Sequence, residues 1–264
     1  MFQPKIVFFD IDDTLWVKDE QRIPESAKIA LKKLHNQGII TAIATGRTIA
    51  VLPEPILALA HECGVEMFVS INGQYVEYKG EKLVSFPLSA DVAANTAAVF
   101  AGQGVAYACV ARSGIFVSGL DARLQDAAGA LNLPFGLDAD YFKNHEVYQM
   151  LGFFPQEMDD VILPKLPSAL RSIRWHKNGV DLLDNQGSKA RGIQAALNVL
   201  GLTMAEAMAF GDELNDLEMI QAVGCGVAMG NAVDELKAVA DFIAPRIDED
   251  GIYRALVELQ VIDK

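Results

Sequence analysis

The tetrapeptide Ile6-Val7-Phe8-Phe9 runs without a break into Asp10-Ile11-Asp12-Asp13-Thr14-Leu15. A short apolar run of this kind reads as a buried strand, and three carboxylates at its end must reach solvent or a compensating cation. The same arrangement recurs along the chain. Pro24 opens a stretch in which Ala27, Ala30, Leu31 and Leu34 keep helical spacing, and Gly38 follows it. Ile39 to Ala44 reads as a second strand that stops at Thr45-Gly46-Arg47. A helix interrupted by Pro53 and Pro55 comes next, then a third strand, Met67 to Ile71, that stops at Asn72-Gly73. The last third resumes the rhythm with a helix from Lys189 to Leu200, a strand Ala207 to Phe210, a helix from about Asn215 and a strand Gly224 to Ala228. Strands alternating with helices predict an α/β fold with a doubly wound, Rossmann-like parallel sheet.

The middle has another character. Strand patterns at Val105 to Ala111, Ile115 to Val117, Val147 to Phe154 and Val180 to Leu183, with helical patterns near Asp91 to Phe100 and Asp121 to Leu131, predict an inserted α+β domain over residues 84–183. Residues 1–83 and 184–264 then form one core domain.

Composition narrows the partners. The 264 residues carry a formal charge of −13, which repels a phosphate backbone, so nucleic acid is not an expected partner. At 51% hydrophobic and 22% charged the chain reads as globular, and no stretch approaches a membrane span, so no membrane is expected. The N-terminus lacks a secretory pattern, and Cys63, Cys109 and Cys225 form neither a disulfide framework nor a zinc pattern. A cytoplasmic protein is expected, monomeric or homodimeric.

Four local features could carry chemistry. In extended geometry Asp10 and Asp12 face one space, and hard carboxylate oxygens suit Mg²⁺, although a solvated acidic turn accounts for a bare Asp-x-Asp as well. Gly46 allows close approach of an anion to the Thr45 hydroxyl and neighbouring N–H groups, and an N-cap Thr is the plain alternative. Lys189 near a helix start opposes the macrodipole and points to an anion, whereas an exposed lysine is the default. Asp212 and Asp216 bracket another helix start after a strand, where Asp216 also serves as a first-turn acid. All four fall on the edge of the sheet where α/β folds place ligands.

In this order the motifs DIDDTL (10–15), TGR (45–47), SKA (188–190), GDELND (211–216) and AMGNA (228–232) make the chain resemble the haloacid dehalogenase (HAD) superfamily over nearly its whole length. Only 35 positions separate Asp10 from Thr45, whereas 144 separate Thr45 from Lys189. An insertion of that size at that place is similar to the large α+β cap of the Cof-type subgroup, class IIB, and Asn72-Gly73 fits the same subgroup. Asp13 stands where that motif often has Gly.

The resemblance implies a Mg²⁺-dependent phosphatase for small phosphorylated metabolites, sugar phosphates first. Asp10 would be the nucleophile and Asp12 the acid and then base. Mg²⁺ would be held by Asp10, the Asp12 carbonyl, Asp212 and Asp216. Lys189 would neutralise charge, while Thr45, Gly46 and Asn215, with Arg47 a weaker candidate, would bind the phosphoryl oxygens. A cap closing over the site would add specificity, with Arg112, His145, Tyr148, Trp175 and His176 as candidates. Trp175 and Tyr148 also read as core, and the two histidines as ordinary strand-edge residues. A phosphomutase with the same nucleophile and a receiver-type signalling module are the alternatives. The Asp-x-Asp and the insertion argue against the second.

Overall fold

The computed structural model describes residues 2–131 and 134–264; Met1, Asn132 and Leu133, which fall inside the expected domain bounds, lie outside the described residues. In chain order the elements are β1 (Ile6–Phe9), α1 (Glu25–Asn36), β2 (Ile40–Ala44), α2 (Glu54–Cys63), β3 (Met67–Ser70), β4 (Tyr75–Tyr78) and β5 (Glu81–Ser85). Then come α3 (Ala90–Gly102), β6 (Ala106–Ala111), β7 (Gly114–Val117), α4 (Ala122–Leu131), β8 (Gly136–Leu137), β9 (Gln149–Phe153), α5 (Asp159–Ile162), β10 (Leu170–His176) and β11 (Gly179–Asp184). The chain closes with α6 (Lys189–Leu200), β12 (Ala207–Gly211), α7 (Leu217–Ala222), β13 (Cys225–Ala228), α8 (Asp234–Lys237), β14 (Phe242–Ile243) and α9 (Gly251–Glu258).

Two compact units result. One holds the chain up to Arg47, Leu52–Ser85 and Ser188–Lys264; the other holds Thr48–Val51 and Phe86–Gly187. The first is built on an eight-stranded sheet in the order β14-β13-β12-β1-β2-β3-β4-β5. It is parallel from β14 to β3 and antiparallel across β3, β4 and β5. Every residue of β1 and β12 is buried, which is why both read as unbroken apolar runs. Helix α1 lays Ala27, Ala30, Leu31 and Leu34 onto the core, the stripe its spacing predicted. Pro24 sits one residue before that helix as its N-cap, and Gly201 in the left-handed region ends α6.

From β1 the chain moves outward through β2 and β3 on one side, and the return through β12, β13 and β14 fills the other. The carboxyl ends of β1 and β12 are therefore neighbours at the topological switch point, where open α/β sheets bind their ligands.

The inserted unit is a six-stranded mixed sheet, β10-β11-β9-β6-β7-β8. One of its faces packs α3 through Ala93, Ala97 and Phe100 onto Tyr107, Cys109, Met150 and Leu182. Thr48 belongs to this unit, and its hydroxyl donates to the Ala111 carbonyl at 2.7 Å.

Several elements depart from the sequence expectation. Strand β10 has no fully buried residue, and its Leu-Arg-Ser-Ile-Arg-Trp-His sequence alternates too weakly to show a period. The β4–β5 hairpin and the two-residue strands β8 and β14 are likewise recognised only by their partners. The helix expected from Asn215 is a 3₁₀ turn over Leu214–Asp216 followed by the short α7. Trp175 is half-buried, not core, because its ring lies across Gly179 on the outermost hairpin; a Cβ at Gly179 would sit 2.6 Å from that ring.

Candidate active site

Asp10 directly follows β1, its N–H donating to the Phe210 carbonyl of β12 at 3.0 Å, so the strand pairing itself carries the side chain to the switch point. Lys189 occupies the first turn of α6, capped by Ser188, and its whole side chain is buried (0% exposed). Its ammonium donates to Asp10 Oδ1 at 2.5 Å and to Asp216 Oδ1 at 2.6 Å. The other Asp216 oxygen accepts the backbone N–H groups of Asp212 (3.0 Å) and Glu213 (3.2 Å), which folds the acidic loop back on itself. Gly211 makes that fold possible: a Cβ there would lie 2.5 Å from the Asp216 carboxyl carbon. Asp212 Oδ1 accepts the Thr14 hydroxyl at 2.7 Å.

Three buried carboxylates thus cluster beside one ammonium, which pairs with two of them, Asp10 and Asp216. Burial pushes Asp10 up to about 7 despite Lys189, with Asp216 and Asp12 adding to the rise. Burial, then the charges of Asp10 and Asp216, push Asp212 up to about 9. Burial works against the Lys189 charge, but the two carboxylates outweigh it and hold its pKa above the usual lysine range. The pocket is short of positive charge.

Oxygens of Asp10, Asp212 and Asp216 lie within 4.8 Å of one another. Among the described residues no hydrogen bond occupies Asp10 Oδ2 or Asp212 Oδ2. Two unoccupied hard oxygens beside uncompensated negative charge suit Mg²⁺. Asp216 has both oxygens engaged and so stands behind the other two.

Asp12 points elsewhere. Its carboxylate takes a fork from Arg47, Nε to Oδ2 at 2.8 Å and Nη2 to Oδ1 at 2.9 Å. Burial disfavours the Arg47 charge, but Asp12 and then Asp10 raise its pKa. The resemblance makes Arg47 a weaker candidate for a phosphoryl contact, and in the structure its guanidinium pairs with Asp12. Thr45 is buried after β2, and its Oγ1 accepts the Arg47 N–H at 3.1 Å. Gly46 faces Asn72, whose Oδ1 accepts from Asn215 Nδ2 at 3.2 Å. Asp13 lies in the left-handed region (φ 57°), which explains the Gly common at that position in the HAD motif.

Thr14 and Asn72 are site residues not assigned a role from sequence. Thr14 lies inside the DIDDTL motif and Asn72 at a strand end, so position alone was the available signal. The cap candidates are scattered: Arg112 and His145 are exposed, His145 stacking on Tyr141 at 4.4 Å. Tyr148 is buried and donates to Glu146 at 2.7 Å, and half-buried His176 lies 4.0 Å from Asp126.

Comparison with known proteins agrees with this architecture. Residues 7–256 match the family of haloacid dehalogenase-like hydrolases. YkrA of Bacillus subtilis (strain 168) is 36% identical over 269 residues, covering 98% of each chain. A Streptococcus pyogenes serotype M6 protein whose name joins a phosphatase to a peptidyl-prolyl cis-trans isomerase is 36% identical over 262 residues; the chain spans 98% of its own length and 55% of that protein. The solved structure of the HAD subclass IIB sugar phosphatase BT4131 superposes with a TM-score of 0.85 at 30% identity, covering 97% of this chain and 99% of that one. No helix among the described residues is long and apolar enough to cross a membrane. With an insert of the class IIB kind in a switch-point sheet of this order, the chain belongs to the haloacid dehalogenase-like hydrolases as a Cof-type phosphatase, a phosphoric monoester hydrolase.

Proposed function

We propose that this phosphatase hydrolyses small phosphorylated metabolites, sugar phosphates foremost, by way of an aspartyl-phosphate on Asp10. The observation that carries the reading is the fully buried Lys189 bridging Asp10 and Asp216 beside Asp212. Asp10 attacks phosphorus through one carboxylate oxygen as the ester P–O bond breaks. Asp12 delivers a proton to the leaving oxygen, then takes one from the water that cleaves the aspartyl-phosphate. The Arg47 fork keeps that carboxylate in one orientation between the two steps.

Lys189, the Thr45 hydroxyl, the Gly46 N–H and the Asn215 amide supply donors for the phosphoryl oxygens. Asp10, Asp212 and the Asp12 carbonyl would hold Mg²⁺, with Asp216 behind them; when bound, the ion neutralises charge that builds on those oxygens. The sugar-phosphate preference is supported by the likeness to a subclass IIB sugar phosphatase. The three buried free cysteines fit a reducing cytoplasm.

The test is Mg²⁺-dependent phosphate release from a panel of sugar phosphates, nucleotides and cofactor phosphates, with Asp10→Asn as the blank. Release that requires both the metal and Asp10, fastest for sugar phosphates, is expected. Transfer of phosphate to a second hydroxyl of the substrate, without release, would make the protein a mutase instead.

A further inference from the structure

The turn between β3 and β4 holds three consecutive residues in the left-handed region: Ile71 (φ 52°), Asn72 (φ 51°) and Gly73 (φ 84°). A β-branched, fully buried isoleucine there is a marked outlier, and such conformations persist only where the surroundings dictate them. Here they do. The Ile71 N–H donates to the Arg47 carbonyl at 3.0 Å and the Asn72 N–H to the Thr45 carbonyl at 3.1 Å, so the turn is laced to the Thr45-Gly46-Arg47 loop from both ends. Gly73 lies against the Ser188 carbonyl, one residue before Lys189, where a Cβ would come within 2.1 Å.

The Asn72 side chain extends this lacing into the site. It is 5% exposed, its Oδ1 accepts from Asn215 Nδ2 at 3.2 Å, and the same oxygen lies 3.2 Å from where a Cβ at Gly46 would stand. One amide therefore fills the space beside Gly46 and accepts from the asparagine of the acidic loop.

We propose that Asn72 is a positioning residue for phosphoryl binding. By accepting one Asn215 N–H it settles which way that amide faces, leaving the second N–H to be aimed at a phosphoryl oxygen, while its bulk holds the Gly46 backbone in place. The inference rests on the reading of this site as one that binds a phosphoryl group. If Asn72 served only the turn, glycine would replace it without loss, since glycine adopts the left-handed region more readily than asparagine.

The experiment is a double-mutant cycle of Asn72→Gly and Asn215→Ala, read by orthovanadate binding in the presence of Mg²⁺. Asn72→Gly is expected to melt close to the wild type and to keep its Mg²⁺ requirement, yet to bind vanadate about tenfold more weakly. Asn215→Ala should lose about as much, and the double variant no more than either single one, because the two amides act as a unit. Wild-type affinity in Asn72→Gly, or losses that multiply to about a hundredfold in the double variant, would overturn the proposal. If Asn72→Gly does not fold, Asn72→Ser, too short to reach Asn215, takes its place in the same cycle. Vanadate binding needs no turnover, so a wild type that binds vanadate but releases no phosphate would sink the hydrolytic reading while the cycle still judges Asn72. A wild type that does not bind vanadate overturns both.

Discussion

Each unit holds a carboxyl group that is pushed up to about 7, Asp10 buried and Asp181 half-buried, and the two are kept in different company. Asp10 stands in the core unit with Lys189 at 2.5 Å and with Asp212 and Asp216 close by. Asp181, on β11 of the inserted sheet, is raised by burial alone, and the groups that relieve it, Trp175 and Gln149, are neutral. The same elevation thus has two meanings. Around Asp10 burial leads, and the charges of Asp216 and Asp12 add to it against the relief from Lys189, a negative charge that a divalent ion can cancel. Around Asp181 it measures desolvation of a single acid, which an uncharged amide of the same shape relieves as well.

The largest expected effect separates the two at once. Asp10→Asn should reduce phosphate release by about a thousandfold or more while the fold is retained, since an amide cannot serve as the nucleophile; near-normal release would remove Asp10 from that role. Lys189→Met comes next. It leaves two buried carboxylates without their cation, at a cost of about 3–5 kcal/mol in urea unfolding at neutral pH. The loss should shrink below pH 6, where Asp10 can take up a proton. Equal stability of variant and wild type across that range would show that the lysine does not compensate the cluster.

The pH dependence of the metal-free protein sharpens the contrast. A carboxyl raised in the folded chain binds more protons there than in the unfolded one. Its stabilising contribution is therefore complete below about pH 4 and is lost as the pH rises through about 7 for Asp10 and about 9 for Asp212. Each group contributes a slope of up to about 1.4 kcal/mol per pH unit. Millimolar Mg²⁺ should flatten this decline, and thermal melts at pH 5, 7 and 9 with and without the metal would measure it. An identical decline in both series would refute a metal at the Asp10 cluster. The smallest effect lies in the inserted unit: Asp181→Asn should raise the melting temperature above pH 7 and leave the Mg²⁺ response unchanged. A variant that instead altered the Mg²⁺ response would break the distinction between the two acids.

Much of the core was legible before any coordinates. The unbroken apolar runs of β1 and β12 and the Ala27, Ala30, Leu31, Leu34 stripe are local patterns with periods of their own, and the structure places them as strands and a helix at the expected positions. Strand β10 and the β4–β5 hairpin were not legible, because half-buried strands at or near a sheet edge are defined by pairing and not by an apolar run. Within the site, the acids announced themselves by following strands. Asn72 and Thr14 did not, since a turn residue and a threonine have plain local explanations everywhere.

The order of strands, helices and charged strand ends, and hence a doubly wound sheet with an insertion after its third strand, follows from the sequence alone, because hydrophobic period and turn chemistry act over a few residues. The pairing of atoms was decided only by tertiary structure. Lys189 reaches Asp10 across 179 positions of chain, Thr14 reaches Asp212 across 198 and Asn215 reaches Asn72 across 143. Packing sets such distances to fractions of an ångström, and no local rule determines which oxygen each donor finds. That is why the fork from Arg47 to Asp12, and the amide of Asn72 between two loops, became visible only in the folded chain.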